Sequence, residues 1–388
     1  MSRSASGDVP RCELAPDYTV SRIINGAWQL SHGHRRAVVD PAVSIRQMQQ
    51  LADAGLTTFD CGDIYVGVEA LLGKLRPASH GIQIHTKFVP DRDSLARIDR
   101  RHVQRIVDRS LRRLGVERLD LVQFAWWDYA VPRYVETASW LDELRREGKI
   151  RLLGATNFDV PRLTEIVDSG VPLATHQIQY SLLDRRPERG MVRFCVDRGI
   201  RLLTYGTLGG GFLAGRYLDR PEPEPPLANR SLVKYRLMLD EFGGWERFQE
   251  LLRTLARIAS RHAVDIANVA ARWVLERQGV AATIVGAFDA GHLDQNLKVF
   301  GFELEPLWTK LVRLPLYSPV FDRGYRNPPV HSRRWPEVYF AGNYRTFPSI
   351  ATTGTALGSG LTAGEALLTD QGRTSDLSAA SSAFRYRG

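Results

Sequence analysis

A chain of 388 residues can form one large domain or two smaller ones, and 44% hydrophobic residues are ample for a buried core. No apolar run approaches the roughly 20 residues that span a bilayer, and the N-terminus has no apolar signal core, so we expect a cytoplasmic protein without a membrane partner. Three widely spaced cysteines give neither a disulfide framework nor a metal-ligand pattern, so no metal is expected. The net charge of +9 comes from arginines interspersed with acids, which favours a solvated surface that attracts an anionic ligand over nucleic-acid binding.

Short runs rich in Val, Ile and Leu alternate with segments of helical period, the pattern of parallel strands covered by helices. The candidate strands are residues 21–27, 57–60, 81–86, 119–124, 151–155, 174–179, 201–203 and 282–285. The helical segments between them include residues 44–54, 101–114, 135–147, 160–168 and 188–197. This repetition predicts an α/β fold, a closed (β/α)8 TIM barrel. A doubly wound sheet is the alternative, and it is disfavoured because no strand leads into a dinucleotide fingerprint.

Changes in composition predict three regions. Residues 1–17 are expected to be a flexible N-terminus, and residues 18–315 to hold the barrel. Within the barrel, residues 207–240 contain a proline-rich run and predict a long loop over the catalytic face. Residues 316–388 have turn signals and few periodic apolar residues, which predicts a mostly irregular extension with a disordered end from residue 370.

Polar residues follow the predicted strands, where barrel enzymes place their chemistry. Asp60 ends the second strand, Tyr65 lies in the loop after it, and Lys87 follows the third strand. A lysine on an apolar strand is costly to bury unless it is paired, so we expect an ion pair with Asp60. The ion pair is expected to lower the pKa of the Tyr65 hydroxyl, which would make Tyr65 a proton donor near neutral pH.

Six segments carry a resemblance to a known family, in this order along the chain: FDCGDIYVGVEALLGK, IHTKF, RLLGATNF, THQIQYSLLDRR, LLTYGTLGGGFLAGRY and TIVGAFDAGHLDQNLKVF. Over about residues 18–315 the chain resembles the aldo-keto reductase superfamily. The resemblance implies hydride transfer from a nicotinamide cofactor to a carbonyl carbon. It implies that Tyr65 is the general acid, that Lys87 lowers its pKa and that Asp60 holds Lys87.

The resemblance also implies a cofactor site. The carboxamide is expected at Thr156, Asn157 and Gln177, and the nicotinamide ring is expected to stack on Tyr205. The pyrophosphate is expected at Gly206 and Leu208, and the adenosine at Gly286, Gln295 and Asn296. Phe288 stands where the family commonly places a cation for the 2′-phosphate of NADP, and His292 is a second basic position that would replace it. The expected cofactor is NADP, with NAD as the alternative.

Ala125 departs from the family, because it stands where a catalytic histidine is expected. Losing a hydrogen-bonding group of this kind costs roughly 2 to 4 kcal/mol of transition-state stabilisation, so activity would be weakened and not abolished. Alanine also leaves room for substrate. Trp28, Trp126, Trp127 and Tyr129 predict an aromatic rim that suits a ring-bearing or apolar carbonyl compound.

Three functions therefore stay open. The first is reduction of a small-molecule carbonyl compound, the second is reduction of an activated carbon–carbon double bond in an enone, and the third is a non-catalytic nucleotide-binding or scaffold role. The intact Asp60, Tyr65 and Lys87 favour an enzyme, and Ala125 favours the scaffold. Residues 333–368 also resemble the closing segment of flavin-dependent amine oxidases, but the nucleotide-binding unit of those proteins is absent, so no flavin is expected. The sequence carries no signal for an oligomeric state.

Overall fold

The computed structural model describes residues 9–32, 40–79, 81–227, 230–286, 290–304, 326–335, 337–345 and 353–371. The chain divides into two compact units, Met1–Glu305 and Pro306–Gly388. Within the described residues, no helix combines the length and the apolar character needed to cross a membrane.

The first unit is a closed barrel of parallel strands. Its eight strands are β3 (Ile23–Gly26), β4 (Thr58–Asp60), β5 (Gln83–Phe88), β6 (Leu119–Phe124), β7 (Ile150–Thr156), β8 (Thr175–Gln179), β9 (Arg201–Tyr205) and β10 (Val280–Gly286). Each strand pairs with the next one along the chain, and β10 closes the barrel by pairing with both β9 and β3. The predicted (β/α)8 fold is confirmed.

Helices connect the strands on the outside of the barrel. They are α1 (Pro41–Asp53), α2 (Val68–Leu75), α3 (Arg100–Leu114), α4 (Tyr134–Arg146), α5 (Val160–Asp168), α6 (Met191–Asp197), α7 (Arg230–Phe242), α8 (Gly244–Arg261), α9 (Ile266–Leu275) and α10 (Leu293–Leu297). Aspartates 40, 99 and 159 begin three of them, each accepting a hydrogen bond from a backbone N–H of the first turn. The helix predicted over 188–197 begins only at Met191, because Gly190, with φ of 128°, interrupts it after a 3-10 turn.

A hairpin precedes the barrel and corrects the prediction of a flexible N-terminus. Strand β1 (Arg11–Ala15) pairs antiparallel with β2 (Tyr18–Ser21). Leu14, Tyr18 and Val20 of the hairpin pack with buried residues of β3, β6, β9 and β10. Residues 11–15 are therefore ordered by burial of their apolar face against the barrel core, whereas residues 1–8 lie outside the described residues.

Helix α7 corrects the prediction of one continuous loop over residues 207–240. Leu232, Tyr235, Met238 and Leu239 are buried at helical spacing. They share an apolar cluster with residues of α8 and of the segment after β9, including Phe212. The proline-rich run ends before this amphipathic stretch, so the excursion is a loop followed by a packed helix.

The second unit is described in three pieces. His331 and Tyr339 form an isolated antiparallel bridge, and Asn343–Arg345 form a 3-10 turn. Helix α11 (Thr353–Asp370) holds the end of the segment that resembles flavin-dependent oxidases. The predicted start of the extension at residue 316 and its end after residue 371 lie outside the described residues.

A buried histidine joins the hairpin to the barrel and makes stability depend on pH. His85 is fully buried, with its Nε2 atom 3.2 Å from the Tyr18 hydroxyl oxygen. Burial lowers the pKa of His85 from 6.5 to about 4. Between pH 6.5 and pH 4 the unfolded chain therefore binds a proton at His85 that the folded protein does not bind. The contribution of His85 to the free energy of unfolding is thus fully present above pH 6.5 and is lost as the pH falls toward 4.

We predict that replacing His85 removes about 2 kcal/mol of this pH dependence between pH 7.5 and pH 5. Urea unfolding of the wild type and of His85→Gln at both pH values measures it. Other titrating groups are common to both proteins, so the difference isolates His85. Equal losses of unfolding free energy in the two proteins would show that His85 titrates normally in the fold.

Candidate active site

The Asp60 carboxylate lies at the centre of the polar site at the carboxyl ends of the strands. Its Oδ2 atom is 2.6 Å from the Lys87 ammonium nitrogen. Its Oδ1 atom accepts hydrogen bonds from the Nε2 atoms of Gln123, at 2.9 Å, and Gln177, at 2.7 Å. Because these partners come from β5, β6 and β8, one carboxylate on β4 ties together four strands.

The predicted ion pair between Asp60 and Lys87 is therefore present, and it is buried. Each side chain is 7% exposed, and the Lys87 ammonium also donates to the Cys61 carbonyl oxygen at 2.7 Å. Burial opposes a charge on Lys87, but the negative charge of Asp60 outweighs burial and raises the pKa of Lys87 above its ordinary value. The lysine therefore stays cationic across the physiological pH range.

Tyr65 lies beside this pair. The Lys87 ammonium nitrogen is 5.0 Å from the centroid of the Tyr65 ring, and Trp28 meets the same ring edge-on at a centroid distance of 4.7 Å. A Cβ at Gly62 would lie 3.3 Å from the Tyr65 ring. The absence of a side chain at Gly62 therefore allows the Tyr65 ring to pack closely against the backbone of the loop after β4.

The electrostatics of Tyr65 differ from the prediction. Burial raises the pKa of Tyr65, and the Lys87 cation offsets that effect only in part, so the pKa of Tyr65 is above its ordinary value and not below it. The prediction considered the cation but not the desolvation of the ring hydroxyl, which is the larger effect. Tyr65 is consequently fully protonated at neutral pH.

The residues expected at the nicotinamide end adjoin one another across β7, β8 and β9. Thr156 pairs with Gln177 in the sheet and donates its hydroxyl to the Gln177 carbonyl oxygen at 3.1 Å. Asn157 has a φ of 61° and is exposed, and its Oδ1 atom accepts from the Tyr205 hydroxyl at 2.8 Å. The Asn157 backbone N–H donates to the Gln177 carbonyl oxygen at 3.0 Å, whereas the side-chain Nδ2 atom donates to no described residue and is available to an acceptor such as a carboxamide oxygen.

Gln29 lies against Gly286, a residue expected at the adenosine end of the cofactor site. Gly286 ends β10, and a Cβ there would lie 2.3 Å from the Gln29 Oε1 atom. That oxygen is buried and has no hydrogen-bond partner among the described residues. Gln295 and Asn296 lie in α10, which Asn268 anchors by donating to the Gln295 carbonyl oxygen at 2.6 Å.

The unpaired buried Gln29 acceptor beside Gly286 fits a bound dinucleotide, which has hydrogen-bond donors for it. Sequence reasoning missed Gln29, although a polar side chain directly after a barrel strand was the available signal. Phe288 lies outside the described residues. His292 is among the described residues and directly precedes α10.

The glycine-rich loop after β9 packs against Tyr235 of α7. A Cβ at Gly206 would lie 2.1 Å from the Tyr235 hydroxyl oxygen, and a Cβ at Gly210 would lie 2.6 Å from the Tyr235 ring. The Tyr235 side chain of α7 therefore packs directly against these two glycines, and the pyrophosphate contact of the loop stays a prediction. Leu208, between them, is partly buried against apolar residues.

The three tryptophans predicted to line the aromatic rim differ in their exposure to solvent. Trp126 is 7% exposed, and its indole N–H donates to the carbonyl oxygens of Asp128 and Val131, so it is a core residue. Trp126 packs edge-on against Phe124 and Tyr134, and its contact with substrate stays a prediction. Trp127 is 53% exposed and Trp28 39%. Ala125, half-buried, offers no side-chain hydrogen bond.

Among the described residues, no three or more His, Cys, Asp or Glu side chains are grouped so that they would hold a metal ion.

We predict that Asp60→Asn destabilises the protein by about 3 kcal/mol, because it leaves the Lys87 cation buried without a counter-charge. The matched control is the double variant Asp60→Asn/Lys87→Met, which removes both charges and should recover much of the loss. Urea unfolding at pH 7 measures both. A double variant no more stable than Asp60→Asn would mean that the cation is not the source of the cost.

Comparisons with known proteins show the family of this chain. The chain matches the Aldo/keto reductase family over residues 22–308. It is 28% identical over 314 residues to the aldo-keto reductase YhdN of Bacillus subtilis, covering 78% of this chain and 92% of the relative. It is 25% identical over 319 residues to the NADH-specific methylglyoxal reductase of Escherichia coli, covering 76% and 95%.

A solved aldo/keto reductase from Klebsiella pneumoniae, in complex with NADP and acetate, shares the fold with a TM-score of 0.57 at 21% identity, covering 75% of this chain and 89% of that one. The family match spans most of the chain, and the strand order and the closed barrel agree with it. This chain belongs to the aldo/keto reductase family, whose members are oxidoreductases that use nicotinamide cofactors.

Proposed function

We propose that this protein is an NAD(P)H-dependent reductase of small-molecule carbonyl compounds with Tyr65 as the proton donor. The observation that carries the proposal is the buried Lys87 cation, held 2.6 Å from Asp60 and 5.0 Å from the Tyr65 ring. A buried ion pair of this kind is weak evidence for stability, since apolar residues of similar volume serve a fold as well. Its position against a tyrosine at the carboxyl ends of the strands is what a proton-transfer site requires.

The bound cofactor would supply the hydride. Tyr65 would give its proton to the carbonyl oxygen, and the phenolate left behind would be stabilised by the neighbouring Lys87 cation. Asp60 keeps Lys87 charged and in place, and Gln123 and Gln177 hold the carboxylate through their amide N–H groups. The raised pKa of Tyr65 keeps the proton on the tyrosine until a substrate oxygen accepts it.

The residues that would hold the cofactor are Asn157, through its side-chain Nδ2 atom, and Gln177 at the carboxamide, and the Tyr205 ring beside them. We propose NADP as the cofactor, with NAD as the alternative. The Klebsiella pneumoniae structure holds NADP, and the Escherichia coli relative is NADH-specific by name. A methylglyoxal reductase among the relatives supports a carbonyl substrate.

Ala125 favours a second candidate at the same site. Its methyl group gives the substrate oxygen no second hydrogen-bond donor and leaves space above the catalytic residues. An enone that entered more deeply would present its carbon–carbon double bond to the hydride. Trp28 and Trp127, exposed at the mouth, suit an apolar substrate in either reaction.

The test is a fluorescence titration with NADPH and NADH, followed by cofactor oxidation with a panel of aldehydes, ketones and enones. We expect binding of at least one cofactor and turnover of at least one carbonyl compound. Turnover of enones alone would favour reduction of the double bond. Tight binding without turnover of any compound would contradict the reductase and favour a scaffold role.

We predict that Ala125→His raises kcat/KM for carbonyl reduction by roughly 10²-fold, because it restores a hydrogen-bond donor to the developing oxyanion. Ala125→Leu is the control, since it adds bulk without a donor and should lower the rate. Steady-state kinetics with one aldehyde from the panel measures both. No gain for histidine over leucine would mean that the pocket is organised around a different reaction.

A further inference from the structure

The loop that carries Tyr65 also holds a buried carboxylate, and a second one follows it. The Asp63 side chain is fully buried in the loop after β4, and the Glu69 side chain is 1% exposed in the first turn of α2. Each is paired with an arginine of α3, Asp63 with Arg109 and Glu69 with Arg113, and both arginine side chains are 41% exposed. The reaction proposed above uses none of these four groups.

The Asp63 carboxylate joins the Tyr65 loop to two other elements. Its Oδ1 atom accepts from the Val89 backbone N–H at 3.2 Å, directly after β5. Its Oδ2 atom is 3.4 Å from a guanidinium nitrogen of Arg109 on α3. Both partners are donors, so a proton on the carboxyl group would find no acceptor in them. The ionised form of Asp63 is therefore the one that fits these contacts.

Arg113 and Glu69 complete the surroundings of Asp63. Arg113 donates to the Asp63 carbonyl oxygen at 3.1 Å and to one Glu69 oxygen at 3.2 Å. The other Glu69 oxygen accepts from the Thr86 hydroxyl at 2.7 Å. The charges that bear on the Asp63 carboxylate are thus one carboxylate on α2 and two arginines on α3, whereas the charges of β4 and β5 are paired with each other.

This arrangement lowers the stability of the fold at neutral pH. Burial, and then the negative charge of Glu69, raise the pKa of Asp63 to about 7, and the Arg109 cation offsets them only in part. A carboxyl group whose pKa is raised on folding stabilises the fold while it is protonated, and that contribution is lost as pH rises toward 7. Asparagine would accept the Val89 N–H without a buried charge. The fold alone therefore does not account for an aspartate here.

We propose that Asp63 is a positioning residue whose carboxylate keeps Tyr65 in place beside the Lys87 cation. It acts through Tyr65 and exchanges no proton with the substrate. A proton on Asp63 removes the ion pair with Arg109, and the Tyr65 loop is then held less tightly. This inference rests on the proposed function, because it requires Tyr65 as the proton donor.

The first test is the pH dependence of kcat for aldehyde reduction with saturating cofactor. A carboxyl group with a pKa of about 7 is about tenfold less ionised at pH 6 than at pH 8, so we expect kcat of the wild type to fall about tenfold. Asp63→Asn should have a similarly low kcat at both pH values, because its loop is less firmly positioned. Asp142→Asn is the matched control and should follow the wild type, since Asp142 is a buried carboxylate 2.6 to 2.8 Å from no group of the site and is paired with Arg145 within α4.

Two neighbouring charges should move this profile in opposite directions. Arg109→Met removes a cation that stabilises the Asp63 carboxylate, so the pH at which kcat is half its plateau should rise. Glu69→Gln removes a like charge, so the same pH should fall. A residue that served only the fold would not produce this pair of opposite shifts.

Amide hydrogen exchange follows the loop without a substrate. The Tyr65 backbone N–H donates to the Gly62 carbonyl oxygen at 2.9 Å, and the Val68 N–H donates to the Tyr65 carbonyl oxygen at 3.0 Å. In the wild type we expect the protection factors of these two amides to be several-fold higher at pH 8 than at pH 6. In Asp63→Asn they should be equally low at both. Urea unfolding at pH 8 should nevertheless show the variant to be at least as stable as the wild type.

A pH profile of Asp63→Asn parallel to that of the wild type would overturn the inference, and so would equal loop protection in the two proteins at pH 8. An Asp63→Asn protein less stable than the wild type at pH 8 would make Asp63 a structural residue and would also overturn it. A failure of the proposed function looks different. The wild type would then reduce no carbonyl compound at any pH, while the exchange measurement would still report on the loop.

Discussion

The site depends on a single carboxylate. Asp60 accepts hydrogen bonds from three side chains on three other strands, and each of those partners is fixed in turn by the barrel. The ammonium of Lys87 remains charged in the interior only because this carboxylate is 2.6 Å away. Tyr65 lies beside that cation. The Asp60 carboxylate therefore links the candidate proton donor to the strands that carry its partners.

The arrangement around Asp60 is complete although the resemblance implies a histidine where Ala125 stands. The Ala125 backbone N–H donates to the Phe88 carbonyl oxygen at 3.0 Å, so this position is joined to the end of β5 while its side chain offers no hydrogen bond. Trp126 is held in the core by two hydrogen bonds. In the proposed reaction, the Ala125 side chain therefore bears on which substrate oxygen or double bond can approach, and not on the ion pair.

Most of the barrel could be predicted from sequence because its strands are apolar runs between helices of clear period. The ion pair was predictable as well, since a strand lysine such as Lys87 needs a counter-charge. Other features depend on tertiary contacts that no local pattern reveals: the hairpin that buries Leu14, the packing of Tyr235 over Gly206, and the orientation of Trp126. The raised pKa of Tyr65 was missed for the same reason, because desolvation depends on everything packed around the ring.

The proposed reaction requires Tyr65 as the proton donor. The most direct measurement is the rate of NADPH-dependent or NADH-dependent aldehyde reduction by the wild type and by Tyr65→Phe, with cofactor affinity measured in both. With Tyr65 as the donor, we expect equal cofactor affinity and a rate at least about 10²-fold lower in the variant, since the phenolic hydroxyl that donates the proton is removed. A Tyr65→Phe protein that binds the cofactor and reduces the same aldehydes at the wild-type rate would contradict it.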